Sequence, residues 1–184
     1  PELDLYDRTG GFDFVFLNQP YGRLKVQRSD FTDSETLSKF LGRELEKELR
    51  ETKVHLKNLC RYFRESGDYV LSCTGELDWH RLMIERAIRL TRQGGRIGCI
   101  VPSTILADFR SASLRKYLLD NCVLEEIHYL PETAGLFDTV NQATCVLVIR
   151  KTVPTGPSLI TVSKCENSVD LWNAKPTSFS ADIT

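Results

Sequence analysis

The sequence lacks several features that would assign it to a specialised class of protein. It has a single methionine, Met83, no Cys-x-x-Cys pair, and no apolar run near the roughly 18 residues that a membrane span needs. It also lacks an excess of either charge, because 24 Lys and Arg residues offset 25 Asp and Glu residues to give a formal charge of -1. Any nucleic-acid partner must therefore be bound by local groups, since no overall basic surface is present.

The six cysteines show no spacing typical of a disulfide framework or a metal site. With no secretory leader in the sequence, we expect reduced thiols in a cytoplasmic protein. Two of them lie inside apolar strand patterns, where a small buried side chain is the expected role. The cysteines are Cys60, Cys73, Cys99, Cys122, Cys145 and Cys165, and the two in strand patterns are Cys99 and Cys145.

The chain of 184 residues, with 41% hydrophobic and 27% charged residues, has the composition of one globular domain. Because it begins at Pro1 and its methionine is internal, we expect a piece of a longer polypeptide. The hydrophobic pattern predicts strands alternating with helices and then a group of strands, which is typical of an α/β fold. The predicted strands are 12–17, 96–101, 123–130, 143–151 and 158–163, and the predicted helices are 32–63, 78–93 and 111–119.

Two details of this pattern carry structural expectations. The run Phe12 to Leu17 is almost continuously apolar, which indicates a strand covered on both faces, as in a parallel sheet. Gly94 and Gly95 follow the second helix and are predicted to end it. The predicted sheet is mostly parallel, with right-handed crossovers and an antiparallel end strand.

The stretch Asn18-Gln19-Pro20-Tyr21 directly follows the first predicted strand. Ligands of open α/β sheets bind beyond the carboxyl ends of the strands, so this stretch stands at a predicted binding edge. Pro20 stiffens the loop and favours an extended Gln19, which leaves the Asn18 side-chain oxygen and the Gln19 carbonyl oxygen as neighbouring acceptors. Two acceptors suit a planar amine, because they can bind both hydrogens and leave the nitrogen lone pair free to react.

Tyr21 adds an aromatic face on which a heteroaromatic ring can stack. An extruded adenine would satisfy the amine acceptors and the ring together, which points to base flipping. A turn with a partly buried tyrosine explains the same four residues without any catalytic role. Arg23, Lys25 and Arg28 follow closely and are equally suited to phosphate contact or to solvation.

Five segments together resemble the amino-group (N6-adenine) DNA methyltransferases, particularly those of fused type II restriction-modification enzymes, whose catalytic motif reads Asn-Pro-Pro-Tyr. The resemblance covers nearly the whole chain and corresponds to the half of the catalytic domain that begins with the target-amine motif. It implies a partial Rossmann-like methyltransferase sheet that lacks its first strands. The segments are FDFVFLNQPYGRLK, LDWHRLMIERAI, QGGRIGCIVPSTIL, SLRKYLLDNCVLEEIHYL and LFDTVNQATCVLVIRK.

This resemblance implies a role for each motif residue. Asn18 and the Gln19 carbonyl would accept the amine hydrogens, Pro20 would be the rigid spacer, and Tyr21 would stack on the base. Phe137 resembles the second aromatic residue that contacts the flipped base, and a core phenylalanine is the alternative interpretation. Gln19 departs from the family pattern, which has proline there, so a looser loop and a weakened site are expected.

The resemblance further implies S-adenosylmethionine as cofactor, and DNA and the remainder of the parent polypeptide as partners. The family binds the cofactor through motifs that precede the target-amine motif, and residues 1–11 are too short to contain them. We therefore expect residues 1–165 to form the C-terminal half of a methyltransferase domain, 166–184 to be a tail or linker, and the isolated chain to be inactive.

A second departure concerns Asp78-Trp79-His80, which stands where relatives more often have an Asn-Leu-Tyr-like stretch. His80 is therefore expected to be a capping or surface residue rather than a catalytic one. Alternative functions are methylation of RNA adenine or of a protein glutamine amide, and a non-catalytic nucleic-acid-binding or scaffold role.

Overall fold

The computed structural model describes residues 10–25, 42–134, 142–167 and 177–181, which form a mixed α/β domain. Its described strands make one six-stranded sheet in the order β1-β2-β4-β3-β5-β6. The strands are β1 (Phe12–Asn18), β2 (Thr91–Pro102), β3 (Val123–Leu130), β4 (Thr144–Arg150), β5 (Ser158–Lys164) and β6 (Thr177–Ala181).

Four strands run in one direction, because β1 pairs parallel with β2 and β3 pairs parallel with β5. Strand β4 is antiparallel to both of its neighbours, β2 and β3, and β6 forms an antiparallel edge next to β5. The predicted α/β class, with a largely one-directional sheet and an antiparallel end strand, is confirmed. The position of β4 between β2 and β3, well inside the sheet, was not anticipated.

Three α-helices accompany the sheet within the described part of the chain: α1 (Gly42–Glu65), α2 (Trp79–Leu90) and α3 (Ala112–Asn121). The main core lies between the sheet and helices α2 and α3. Its centre is made of residues from α2, β2, α3 and β4 that expose less than 2% of their surface, namely Ile84, Ala87, Ile97, Cys99, Val101, Leu114, Cys145 and Ile149.

The end of α1 packs in a second, smaller cluster. Phe63 lies against Tyr69 with its ring edge-on, and the two centroids are 4.8 Å apart. Leu24, Leu77 and Leu82 complete the buried part of this cluster. Leu24 belongs to the segment that directly follows the Asn18 to Tyr21 stretch, so the smaller cluster holds that segment against the start of α2.

The glycine pair Gly94-Gly95 does not end a helix, contrary to the prediction. Helix α2 already ends at Leu90, and Thr91 continues as strand, with its hydroxyl donating to the Ala87 carbonyl at 2.8 Å. The pairing of β1 with β2 is irregular at this point. Gly94 has a φ of +79°, and a Cβ on Gly95 would lie 2.9 Å from the Phe12 carbonyl oxygen, so both positions favour glycine.

Residues 177–181, in the segment for which we predicted a tail or linker, form strand β6. The five residues pair antiparallel with β5, where Ile160 is opposite Phe179. This part of the predicted tail therefore extends the sheet.

Burial within the described part of the chain shows that the cysteines are packing residues. All six are free thiols, and four of them are buried, namely Cys99, Cys122, Cys145 and Cys165. Burial raises the pKa of the Cys99 thiol to about 12, and burial likewise raises the pKa of Cys145 to about 12. These two thiols therefore stay protonated, and poor nucleophiles, at neutral pH.

Neither a membrane span nor a metal cluster is found in the part of the chain that the structure describes. None of its helices has the length and apolar character to cross a bilayer. No group of three or more His, Cys, Asp or Glu side chains in the same residues could hold a metal ion.

Strand β1 buries only one of its two apolar faces against the described residues. Val15 and Leu17 pack on the main core. Phe12, Phe14 and Phe16 lie on the other side and are 44%, 60% and 79% exposed. The prediction that β1 is covered on both faces therefore holds for one face within the described residues. Strand β1 is also the edge strand on its side of the described sheet.

We expect this exposed row of phenylalanines to make the isolated chain self-associate, because an apolar edge strand is a template for pairing. The double substitution Phe14→Thr and Phe16→Thr should raise the ratio of monomer to associated chain several-fold, as measured by sedimentation velocity. Phe109→Thr is the matched control, because Phe109 is 87% exposed but lies in a short 3-10 helix away from β1. An equal shift in the control would contradict a specific role for β1.

Candidate active site

The candidate site begins where β1 ends. Asn18 is the last residue of β1 and is opposite Ile100 in β2, close to the carboxyl end of that parallel strand. Pro102 ends β2, and the chain then turns into a short 3-10 helix, Ser103–Leu106. The loop after β1 and the loop after β2 therefore lie side by side at the edge where ligands of parallel sheets bind.

The structure brings the side chains of Asn18 and Tyr21 together. The Tyr21 hydroxyl donates to the Asn18 Oδ1 oxygen at 3.5 Å, the long limit for such a bond. Asn18 is exposed and Tyr21 is half-buried, so neither side chain is turned into the interior. A weak, exposed bond of this kind can give way to a stronger donor, and Oδ1 is therefore accessible to an incoming amine.

Tyr21 is neutral at physiological pH. Burial raises the pKa of its phenol above the ordinary value of 10, and the nearby Cys145 acts in the same direction. The hydroxyl consequently keeps its proton and can act as a hydrogen-bond donor at the mouth of the site.

Gln19 is buried, whereas the resemblance assigned a role only to its backbone. Its side chain is 7% exposed, and the Nε2 amide donates to the Ile100 carbonyl at 2.7 Å. Its Oε1 oxygen is also buried and has no hydrogen-bond partner among the described residues. An unpartnered buried amide oxygen costs roughly 1–3 kcal/mol of stability, so this arrangement is not the most stable filling of the space.

The chain beyond Tyr21 is fixed to the segment before α2. The Trp79 amide donates to the Gly22 carbonyl at 3.1 Å, and the Leu24 amide donates to the Leu77 carbonyl at 2.8 Å. Arg23 and Asp78 form an isolated antiparallel bridge between these two bonds. The loop of residues 19–21 is therefore held on its far side by backbone pairing.

A cavity of about 250 Å³ opens beside Tyr21. Its walls come from four separate segments that meet at the carboxyl ends of β1 and β2. The lining residues are Tyr21, Gly22 and Arg23 after β1, Asp78 and His80 at the start of α2, Pro102, Thr104, Asp108 and Arg110 after β2, and Gln142 before β4. Tyr21 thus adjoins an open cavity whose lining residues are mostly polar.

His80 lines this cavity, and the expectation of a capping or surface histidine is wrong. The residue is 6% exposed, and its Nε2 atom is buried with no hydrogen-bond partner among the described residues. Burial lowers the pKa of the imidazole below its ordinary value of 6.5, although the neighbouring Asp78 opposes this shift. His80 is therefore a neutral wall residue at physiological pH.

Arg81 joins the walls of the cavity to one another. Its guanidinium is fully buried, and Nη1 donates to the carbonyls of Thr74 at 3.1 Å and Arg110 at 3.0 Å. Nη2 donates to the Glu76 carbonyl and lies 3.1 Å from the Asp78 carboxylate. One side chain on α2 thereby fixes both the segment before α2 and the loop after β2.

The basic residues near the motif have acidic partners. Arg23 lies 2.9 Å from the Glu76 carboxylate, and Lys25 lies 3.9 Å from the same group. Arg110 is 3.5 Å from Glu76 as well, so three cations at the rim share this one carboxylate. The charges of Arg23 and Lys25 are therefore only partly offset by Glu76, while Arg28 lies outside the described residues.

Phe137, the proposed second aromatic contact, also lies outside the described residues. His80, Asp108 and Arg110 are wall residues that were not predicted from the sequence. Asp108 and Arg110 could have been found from their position just after the carboxyl end of β2, since residues at that edge are expected to surround a ligand. His80 carried no such signal, because burial of the first turn of α2 depends on the tertiary packing.

The described residues do not form a cradle for S-adenosylmethionine. A phosphate or nucleoside cradle of the dinucleotide type needs a glycine turn between the end of a strand and the start of a helix. Within the described ranges, glycines with positive φ occur at Gly10, Gly11, Gly67, Gly75 and Gly94, and none directly joins a strand end to a helix. A glycine turn of this kind is therefore not found in the described ranges.

Together, the sheet order and the site at the end of β1 define an α/β domain of the methyltransferase class. The chain belongs to the Eco57I restriction-modification methylase family, whose model matches residues 2–137. A comparison with curated proteins gave no match.

Solved structures share this fold at low sequence identity. DrdV, in a complex with DNA, is 11% identical with a TM-score of 0.54, and the match covers 98% of this chain and 18% of that one. The methyltransferase subunit of a type I restriction-modification system from Streptococcus thermophilus is 14% identical with a TM-score of 0.53, covering 85% of this chain and 26% of that one. The chain therefore spans about a quarter or less of the length of these two proteins.

Proposed function

We propose that this chain carries the target-amine side of a DNA adenine-N6 methyltransferase of a restriction-modification system, which methylates a flipped-out adenine with S-adenosylmethionine as the methyl donor. The observation that supports this most is the arrangement of Asn18 and Tyr21. Both side chains are accessible at the end of β1, and Tyr21, which contacts Asn18, lines a cavity of about 250 Å³. Membership of the methylase family supports the reaction class.

In this proposal the residues of the loop bind and polarise the adenine amine. The Asn18 Oδ1 oxygen gives up its 3.5 Å bond with Tyr21 and accepts one amine hydrogen, and the Gln19 carbonyl accepts the other. Two acceptors on the hydrogens pull the nitrogen away from planarity, so its lone pair is no longer shared with the ring. Pro20 keeps the acceptors in place, and the Tyr21 ring stacks on the base, with Phe137 as the second aromatic contact.

The same proposal assigns partners and organisation. DNA is the substrate, and the remainder of the parent polypeptide supplies the main cofactor site, since the described residues lack it. Residues 1–165 form most of the C-terminal half of the catalytic domain, and 166–184, whose strand β6 extends the same sheet, lead to a following region. Six free thiols fit a cytoplasmic location. The isolated chain is expected to bind the base without completing methyl transfer.

Binding of adenosine to the chain, followed by NMR chemical-shift mapping, tests this proposal. We expect a Kd in the millimolar range, with changes in the chemical shifts of the Tyr21 and Thr104 backbone amides, which lie on either side of the cavity. Tyr21→Ala should weaken the affinity about tenfold, because stacking contributes roughly 1–3 kcal/mol per base. Tyr21→Trp should retain binding, since it keeps an aromatic face.

Two controls make the result specific. N6,N6-dimethyladenosine has no amine hydrogens and should bind more weakly than adenosine if Asn18 and Gln19 accept them. Tyr62→Ala removes a tyrosine that is 53% exposed on α1, outside the cavity lining, and should change nothing. If adenosine changes the chemical shifts of amides elsewhere in the chain, or if it changes them equally in Tyr21→Ala, the result would count against an adenine site and favour a non-catalytic role.

A further inference from the structure

Gln19 makes a contact that crosses from one strand end to the next. Its Nε2 amide donates to the Ile100 carbonyl at 2.7 Å, although the two residues are 81 positions apart in sequence. Ile100 is the β2 residue that stands opposite Asn18 in the parallel pairing. The bond therefore adds one side-chain connection between β1 and β2 just beyond the last paired residue of β1.

This bond anchors the near side of the loop that carries Tyr21. On the far side, the Gly22 carbonyl accepts from the Trp79 amide at 3.1 Å. Pro20, between them, fixes only its own φ and favours an extended residue before it. With Gln19 bound to β2 and Gly22 bound to the segment before α2, the three-residue span from 19 to 21 is closed at both ends.

Stability alone does not account for this choice of residue. The Gln19 side chain is 7% exposed, and its Oε1 oxygen is buried without a hydrogen-bond partner among the described residues. An apolar side chain of similar size would fill the same space without leaving an amide oxygen unpartnered. The amide is therefore retained for the one bond it makes, and that bond fixes where the loop lies.

We infer that Gln19 is a positioning residue: its side-chain amide tethers the loop to the Ile100 carbonyl and imposes the restraint that a second proline would impose at this position. In the related methyltransferases, whose motif is Asn-Pro-Pro-Tyr, the ring of the first proline would restrict the backbone at this position. Here the same restriction comes from a hydrogen bond to the neighbouring strand. The inference rests on the proposed function only for what the loop binds, and the tether itself is independent of any ligand.

The tether can be measured in the unmodified chain without a ligand. A scalar coupling across the hydrogen bond, between Gln19 Nε2 and the Ile100 carbonyl carbon, should be observed by NMR, with one side-chain amide hydrogen protected from exchange. The Tyr21 and Gly22 amides should have order parameters near the value of about 0.85 that is typical of a rigid backbone. Rapid exchange of both Gln19 side-chain hydrogens, with no coupling, would overturn the inference.

Substitutions separate positioning from simple packing. Gln19→Leu keeps the volume and removes the donor, and Gln19→Ala removes both, so each should lower the order parameters of Tyr21 and Gly22 toward about 0.6. Both variants should also raise the Kd for adenosine about tenfold, because the loop that carries Tyr21 loses one positioning bond. Gln19→Pro cannot donate, yet it should restore rigid order parameters and near-original affinity, because it supplies the restraint through the ring.

The outcomes are distinguishable from those that bear on the proposed function. Unchanged loop order in both Gln19→Leu and Gln19→Ala, or a Gln19→Pro loop as loose as the alanine variant, would overturn the tether. If the loop order responds as expected while adenosine binds nowhere near Tyr21, the tether stands and the adenine site fails. Should the leucine variant not fold, the alanine variant and the coupling measured in the unmodified chain decide the question.

Discussion

Methyl transfer to adenine in DNA should fall by about 10²–10³-fold when Asn18 is replaced by alanine in the complete protein, as when a preorganised polar group is removed from an active site. The expected loss is in kcat, because in the proposed mechanism the Asn18 oxygen stabilises the amine most strongly as its lone pair becomes available. Incorporation of labelled methyl groups into adenine-containing DNA, measured over a range of DNA concentrations, separates kcat from KM.

Two further variants complete this test. Asn58→Ala makes the same substitution at an exposed position of α1 and should leave both constants unchanged. Asn18→Asp keeps an acceptor oxygen at the same place, so it should retain more activity than Asn18→Ala. A rise in KM with an unchanged kcat in Asn18→Ala would mean that the amide binds ground state and transition state equally, contrary to the proposed role.

Replacing Arg81 by methionine is expected to have the largest effect on stability. The substitution removes the guanidinium that binds the carbonyls of Thr74, Glu76 and Arg110, and it leaves the buried Asp78 carboxylate with less compensation. Breaking a buried charge pair in this way typically costs about 3–5 kcal/mol, a large part of the total stability of a small domain. Urea unfolding followed by circular dichroism measures the change.

The same helix offers a matched control, because Arg86 is exposed and lies one and a half turns further on. Arg86→Met should change the free energy of unfolding by no more than about 0.5 kcal/mol. Arg81→Lys keeps the charge but not the planar fork of donors, so an intermediate loss is expected. Equal losses for Arg81→Met and Arg86→Met would show that the buried network contributes little.

The strand pattern of the sequence was a good guide wherever burial is local and repetitive. The apolar runs gave β3 at its observed bounds, 123–130, and gave β4 and β5 within a residue at each end. The sequence also placed the motif at the end of β1, where the Asn18 and Tyr21 side chains are in contact, and its role as a site stays a prediction. These features depend on the period of hydrophobic residues and on loop chemistry, both of which can be read along the chain.

The features that the sequence did not reveal depend on contacts between distant segments. Gly94-Gly95 has the form of a helix stop, yet it lies within β2, where the Phe12 carbonyl approaches too closely for a side chain. Gln19 looked like a flexible replacement for proline until its bond with Ile100 was seen. His80 became a wall residue only through the packing of α2 against two loops. No local pattern encodes these pairings.

The central place of β4 has a consequence for how this chain acquires its structure during synthesis. Residues 144–150 separate β2 from β3 and pair with both, so β2 has only β1 as a partner, and β3 has none, until the ribosome has released about residue 150. Contacts between segments this far apart form late and slowly. Nascent chains that stall earlier would present one unpaired edge of β2 and both edges of β3, and a chaperone that keeps these edges apart would be of most use during that interval.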